Sequence, residues 1–173
     1  MKTILSGEQL EITIRRLAHQ ILENSPDLAA TCIIGIQPRG IWLSSRIMKA
    51  IREITPAMAL QYGVLDITFY RDDVRNELHV ANQTDIPFSI EDKKVILIDD
   101  VLYTGRTIRA ALDALMDFGR PKKVELCVLI DRRFSRELPI QPDYAGKAID
   151  SIITQRVKVC WQENSGKDEV VLL

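Results

Sequence analysis

Val95-Ile96-Leu97-Ile98-Asp99-Asp100-Val101-Leu102-Tyr103-Thr104-Gly105-Arg106-Thr107 is the stretch that decides how this chain folds. The unbroken aliphatic run Val95 to Ile98 predicts a fully buried parallel strand, and Ile108, Ala111, Leu112, Leu115 and Met116 then recur at helical spacing. Between strand and helix lie two carboxylates and a Thr-Gly-x-Thr turn. Open α/β sheets bind ligands outside the carboxyl ends of their strands, which is where Asp99 and Asp100 fall. Thr104, Gly105, Arg106 and Thr107 offer backbone N–H groups, two hydroxyls and a helix N-terminus, a set suited to a phosphate monoester. The plainer alternative is a buried strand ending in an acidic turn, with Thr104 as N-cap of the helix.

On either side of this stretch the chain alternates strand and helix patterns without internal repeats. Ser6 and Gln9 have the spacing of a capping box for a helix with Leu10, Ile14, Leu17, Ile21 and Leu22 as its apolar stripe. Thr31 to Ile36 reads as a short buried strand, stopped by Gln37-Pro38-Arg39-Gly40, and a second helix carries Leu43, Ile47, Ile51 and Ile54. A strand is expected around Leu60 to Tyr70, followed from Arg71 to Lys94 by a polar stretch with few apolar anchors. A loop that long in a compact domain is usually functional. Val124 to Ile130 predicts another buried strand, and Val157 to Trp161 and Val170 to Leu173 two late short ones. The pattern predicts one α/β domain over residues 1–173, with a mainly parallel central sheet flanked by helices.

Composition narrows the function classes. The chain has 173 residues and a formal net charge of −1, with a pI near 6.1, so it has no general affinity for polyanions and any nucleic-acid role needs a local basic face. No apolar run approaches the roughly 20 residues of a membrane span, and the N-terminus lacks a signal-peptide core, so a cytoplasmic protein is expected. Cys32, Cys127 and Cys160 each lie in mostly apolar runs without metal-ligand spacing and read as reduced core residues.

Gln37-Pro38-Arg39-Gly40 also follows a core strand and opens a helix. Its backbone amides and the Arg39 guanidinium would face the acidic pair and grip a second phosphate group. An ordinary Pro-Arg-Gly turn is the alternative.

All thirteen positions of the opening stretch resemble the phosphoribosyl-pyrophosphate (PRPP) motif of the type I phosphoribosyltransferases. That resemblance implies their α/β fold with a flexible hood loop, at about 71–94 here, closing over the substrates. It implies that Asp99 and Asp100 accept hydrogen bonds from the ribose hydroxyls, that Val101, Leu102 and Tyr103 to Thr107 complete the PRPP site around the 5′-phosphate, and that Gln37, Pro38, Arg39 and Gly40 hold pyrophosphate. Asp99, Asp100, Arg39 and Arg71 are then the catalytic candidates. Mg²⁺ is expected as cofactor, held mainly through PRPP and water rather than directly by the protein. Relatives often have a cis peptide in the pyrophosphate loop, and the Gln37–Pro38 bond is the one where cis is cheapest. His79 would reach the site on loop closure, or else remain a solvated loop side chain.

Four blocks occur in order: Gly35-Ile36-x-x-Arg39-Gly40, Asp66-Ile67-Thr68-x-Tyr70-Arg71-Asp72-Asp73, the PRPP stretch, and Arg136-Glu137-Leu138-Pro139-Ile140. Together they are similar to the family of pyrimidine-operon attenuation regulators that are also uracil phosphoribosyltransferases. The likeness implies conversion of uracil and PRPP to UMP and pyrophosphate. It also implies a homodimer, with possible higher assembly, whose basic face binds operon leader mRNA more tightly with UMP. Trp42 would lie against a twin subunit or in the core.

Purine enzymes commonly place an Asp where this chain has Tyr103, and a phenol is a poor general base at neutral pH, which favours a pyrimidine. For the base pocket the resemblance points to Tyr144 as a stacking ring and to the backbone of Ala145, with Asp131 and Arg132 meeting a uracil carbonyl or N–H. Core packing is the alternative for Tyr144. An RNA face is expected from Arg15, Arg16 and His19 with Arg132, Arg133, Arg136 and Lys147. The RNA-binding members usually show Gly-His-Arg after the Asp-Arg pair, where this chain has Arg133-Phe134-Ser135-Arg136, and Gln141 stands where a basic residue is common. A uracil phosphoribosyltransferase without an RNA role, or a purine-type enzyme, are the alternatives.

Overall fold

The aliphatic runs pair into a parallel five-stranded sheet in a computed structural model that describes residues 1–57, 59–72 and 81–173. Its strands are β2 (Thr31–Ile36), β3 (Gln61–Leu65), β4 (Lys94–Leu102), β5 (Lys123–Arg133) and β6 (Tyr144–Asp150), in the order β3-β2-β4-β5-β6. The central strand β4 is registered with Ile98 opposite Gly35 on one side and Cys127 on the other. Residues 95–100 are buried throughout, as a strand covered on both faces requires.

Helices α1 (Gly7–Glu23) and α2 (Gly40–Ile54) cover one face, where Ile96 and Ile98 join Leu17, Ile21, Leu43 and Ile47 in one core cluster. Helix α3 (Arg106–Met116) covers the other, where Val95 and Leu97 meet Ile108, Ala111 and Leu115. Each such fully buried aliphatic side chain stabilises the fold by about 1.5–3 kcal/mol. The expected capping box opens α1: Gln9 N–H donates to Ser6 Oγ at 3.3 Å and Ser6 N–H to Gln9 Oε1 at 3.0 Å.

Three boundaries differ from the sequence expectation. β4 and β5 run on to Leu102 and Arg133 because their ladder continues through Val101 opposite Ile130 and Leu102 opposite Asp131. Asp131 and Arg132 are therefore strand residues. β3 stops at Leu65, and Thr68–Tyr70 forms a 3₁₀ turn in which Asp66 Oδ1 accepts from the Thr68 N–H and hydroxyl. Of the polar stretch from Arg71 to Lys94, residues 73–80 lie outside the described residues, and residues 81–94 are better anchored than their polarity implied. Asp85 pairs with Val64, Ile90 is fully buried, and Ile86 and Phe88 pack against the α3-side cluster.

A second sheet is antiparallel, in the order β1-β8-β7: β1 (Lys2–Leu5), β8 (Glu169–Leu172) and β7 (Val157–Cys160), with the short α4 (Gln162–Ser165) between β7 and β8. It holds the two late strands expected from sequence. Arg46 of α2 fastens it: the guanidinium lies 4.5 Å from the Trp161 ring centre and pairs with Glu163 at 2.7 Å and Asp168 at 3.0 Å. Among the described residues no helix is long and apolar enough to cross a membrane. All three cysteines are buried and unpaired, and burial pushes the Cys32 thiol up to about 11.

Candidate active site

The carboxyl ends of β2 and β4, with the segment between β6 and β7, enclose a cleft of about 460 Å³. It is lined by Gln37, Pro38, Arg39, Ile67, Arg71, Asp99, Asp100, Val101, Tyr103 and Thr107, and on the far side by Arg132, Ile153, Gln155, Arg156 and Val157. A second lobe of about 480 Å³ shares Arg39, Asp100, Arg156 and Val157 and runs back to Trp42, Trp161 and Asn164. Trp42 is thus half-buried against the core at the wall of this lobe.

Two glycines make the geometry possible. A Cβ on Gly40 would lie 2.3 Å from the Ile98 carbonyl oxygen, so only glycine lets the start of α2 press against β4 directly beneath the acidic pair. The Gln37–Pro38 peptide before it is cis. Gly105, at φ +96°, makes the left-handed turn that precedes α3. Gly105 itself is the N-cap, not Thr104, while the Thr104 hydroxyl accepts from the Arg106 N–H at 3.4 Å.

Asp99 and Asp100 are both 6% exposed. Burial, then the neighbouring Asp100 charge, holds the Asp99 carboxyl well above the usual carboxylate range. Burial raises Asp100 as well, and the Arg39 charge pulls both back down. The Asp100 N–H donates to Asp99 Oδ1 at 2.9 Å. Such a pair favours a ligand bringing hydroxyl donors or cationic charge.

Most residues expected to form the PRPP site therefore converge on one cleft. Gln37 also spends its side-chain amide on the Gln83 carbonyl, at 2.6 Å. Asp72, next to Arg71, accepts from Arg106 at 3.1 Å and from Arg109 at 3.0 Å, docking this segment on the first turns of α3. His79 lies outside the described residues.

The expected base pocket needs correction. Tyr144 is 6% exposed, sits in the core, and donates its hydroxyl to Glu125 at 2.7 Å. The register places it opposite Cys127 at the amino end of β6, level with Ile98, but its side chain lies in the core and is not among the cleft residues. Ala145, its neighbour, packs against the α3-side core. Asp131 is bound to Arg136 at 2.5 Å and is not among the cleft residues. Arg132 alone of the four lines the cleft, and it is 5% exposed. Its guanidinium donates to Ser151 Oγ at 2.8 Å and to the carbonyls of Gln155 at 3.0 Å and Ile152 at 3.3 Å. These bonds fold the 151–155 segment over the cleft and place Ile153, Gln155 and Arg156 on its wall. Nothing in their sequence marked these three residues; only the long-range grip of Arg132 does.

The expected RNA face is partly spent within the fold. Arg15 pairs with Glu53 at 3.1 Å, Arg16 donates to the Gly146 carbonyl, Lys147 to the Ile4 carbonyl at 3.1 Å, and Arg133 pairs with Asp150 at 2.8 Å. His19 is exposed. Arg136 points inward, to the Tyr103 carbonyl at 2.6 Å and to Asp131, which corrects its placement on the RNA face.

An acidic pair above a glycine turn, opposite an Arg-Gly loop in a parallel sheet, defines a phosphoribosyltransferase, and a family model described as phosphoribosyl transferase domain matches residues 1–164. Within that class the chain belongs to the PyrR family. The bifunctional protein PyrR of Elusimicrobium minutum is 48% identical over 174 residues, 99% of this chain and 96% of the relative. Its namesake from Picosynechococcus is 47% identical, over 98% of this chain and 96% of the relative. In solved structures the fold recurs in the hypoxanthine phosphoribosyltransferase of Trypanosoma cruzi, with a TM-score of 0.76 at 16% identity, covering 100% of this chain and 96% of that one. A Staphylococcus aureus hypoxanthine phosphoribosyltransferase gives 0.69 at 22% identity, over 88% and 80%.

Proposed function

We propose that this protein regulates a pyrimidine biosynthetic operon by UMP-dependent binding to its leader mRNA, and that it is also a uracil phosphoribosyltransferase. The observation that carries the enzymatic half is the buried Asp99–Asp100 pair sharing one cleft with Arg39 and with Tyr103 and Thr107, which flank the Gly105 turn. In the reaction N1 of uracil attacks the anomeric carbon of PRPP, the bond from that carbon to the pyrophosphate oxygen breaks, and UMP and pyrophosphate result with loss of the N1 proton. Asp99 and Asp100 accept hydrogen bonds from the ribose hydroxyls and stand beside the positive charge that develops on the ribosyl ring. The amides around Gly105 and the Thr107 hydroxyl hold the 5′-phosphate. Arg39 and Arg156, which line both lobes, hold the leaving pyrophosphate, and Arg71 closes the cleft. Ile153 and Gln155, held by Arg132, meet the base.

Two carboxylates suit Mg²⁺ only as minority ligands, since no group of three or more His, Cys, Asp or Glu gathers for a metal among the described residues. When bound with PRPP, the ion supplies charge neutralisation for the leaving group.

The regulatory half draws on kinship with proteins called bifunctional and on the exposed His19 of α1, beside Arg16 and Lys147, whose charges remain although each donates to a backbone carbonyl. A homodimer accords with exposed apolar side chains such as Phe134 and Ile152, 84% and 66% exposed. A cytoplasmic location accords with buried, unpaired cysteines. A second reading, an enzyme with no RNA role, is favoured by the inward turn of Arg136 and the pairing of Arg15.

Radiolabelled uracil incubated with PRPP and Mg²⁺ tests the enzyme, with UMP as the expected product. Leader RNA retention across a salt series, with and without UMP, tests the regulator. No UMP formation overturns the first, and no retention at low salt leaves the second reading.

A further inference from the structure

The segment Arg136-Glu137-Leu138-Pro139-Ile140 follows β5 and lies behind the Tyr103–Thr107 loop, away from the cleft lining. Its contacts run to that loop. Arg136 donates to the Tyr103 carbonyl at 2.6 Å, and its second nitrogen is held by Asp131 Oδ1 at 2.5 Å. The backbone N–H groups of Glu137 and Leu138 both donate to the Thr104 carbonyl, at 2.9 and 3.2 Å. Glu137 also accepts from Arg106 Nε at 2.6 Å. Leu138 and Ile140 close over the turn itself: a Cβ on Gly105 would lie 3.4 and 3.3 Å from them.

In a trans peptide the C=O and the following N–H point in opposite directions. Drawing the Tyr103 and Thr104 carbonyls toward this segment therefore turns the N–H groups of Thr104 and Gly105 away from it. That is the direction in which a phosphate can be gripped.

We propose that Arg136 is a positioning residue for the 5′-phosphate: by holding the Tyr103 carbonyl, beside the two amides on Thr104, it aims the Thr104 and Gly105 N–H groups at the ligand. Arg136 does not touch substrate. The proposal rests on the phosphoribosyltransferase reading, and its test separates the two.

Calorimetric titration of the full chain with ribose 5-phosphate and, separately, with inorganic pyrophosphate and Mg²⁺ provides that test. Arg136→Gln is expected to weaken ribose 5-phosphate binding about tenfold, the loss of one charge-assisted hydrogen bond, and to leave pyrophosphate binding unchanged. Arg136→Lys, which still carries a donor, is expected to recover part of the loss. In turnover, the KM for PRPP rises more than kcat falls. The near-isosteric Asp131→Asn, which loosens the guanidinium without removing it, gives a smaller shift in the same direction and serves if Arg136→Gln does not fold. Unchanged ribose 5-phosphate affinity, or an equal loss for pyrophosphate, overturns the positioning role. A wild-type protein that binds neither ligand overturns the underlying phosphoribosyltransferase reading as well.

Discussion

The guanidinium carbon of Arg132 stands 4.0 Å from the centre of the Tyr103 ring. Both side chains line the cleft, and three hydrogen bonds fix the arginine from behind. The cation covers one ring face and stabilises the contact by about 0.5–2 kcal/mol. The phenol position is thus set by a stack, and the cleft presents an aromatic wall at this point.

Tyr103→Phe preserves that stack and is expected to keep uracil turnover within about threefold. Tyr103→Asp replaces the stack with an ion pair and supplies a proton acceptor, so the ratio of hypoxanthine to uracil activity should rise. Side-by-side assays with uracil, orotate, hypoxanthine and guanine measure this, and an unchanged ratio would discount Tyr103 as the base discriminator.

The acidic pair trades stability for function. Because the folded Asp99 carboxyl is raised, its favourable contribution is complete below the unfolded value of about 3.9 and is lost as pH rises through the folded one. At neutral pH the buried Asp99 carboxyl therefore opposes folding relative to acid. Asp99→Asn should raise Tm at pH 7, with the gain shrinking toward about pH 4, while turnover drops by about 100-fold or more. Thermal unfolding across that range, beside a UMP assay, shows whether the two effects separate.

Hydroxyl donors from a bound ribose lower the raised carboxyls, so PRPP binding should release protons and tighten as pH rises across the interval between free and bound values. Calorimetry in two buffers of different ionisation enthalpy reads the protons directly. Asp99→Asn should reduce their number.

Glu125 behaves in the opposite sense at the far end of the sheet. Burial alone would raise it, but bonds from Lys123, Tyr144 and Lys94 outweigh burial and hold it below its ordinary value. Its contribution is present above the unfolded value of about 4.3 and fades as pH falls through the folded one. Glu125→Gln is expected to cost about 1–3 kcal/mol at pH 7, and denaturation curves of the two proteins should converge in acid.

Gly40→Ala forces a methyl group against the Ile98 carbonyl. A loss of about 1–3 kcal/mol in stability is expected, with weaker pyrophosphate binding as α2 backs away from β4. Urea unfolding and pyrophosphate titration would reveal both.

How far the sequence could be read depended on how local each determinant was. The Asp99–Thr107 stretch was legible because strand, turn and helix signals adjoin, and Ser6 with Gln9 because a capping box spans one helical turn. Tyr144 is not legible as a core residue because its inward direction depends on where β6 starts against β5 and on the bond to Glu125, both long-range. Asp131 and Arg132 fall just beyond the strand that the sequence predicts, because nothing in one strand tells how far its neighbour's ladder continues. Ile153, Gln155 and Arg156 were invisible because they owe their place to bonds that Arg132 makes to two carbonyls and a serine some twenty positions away.

The antiparallel sheet also carries a consequence for the order of folding. β1 pairs with β8, closing a loop that spans nearly the whole chain, and the Arg156 backbone on the cleft wall is bonded in both directions to Leu173. Such closure carries the largest entropy cost and correlates with slow assembly, whereas the parallel sheet and its phosphate turn need only nearer contacts. The cleft should therefore acquire its second wall last, and PRPP should act as a late folding ligand that rewards this final docking. Amide exchange faster in β7 than in β4, and slowed by PRPP chiefly in β7, is the expected signature.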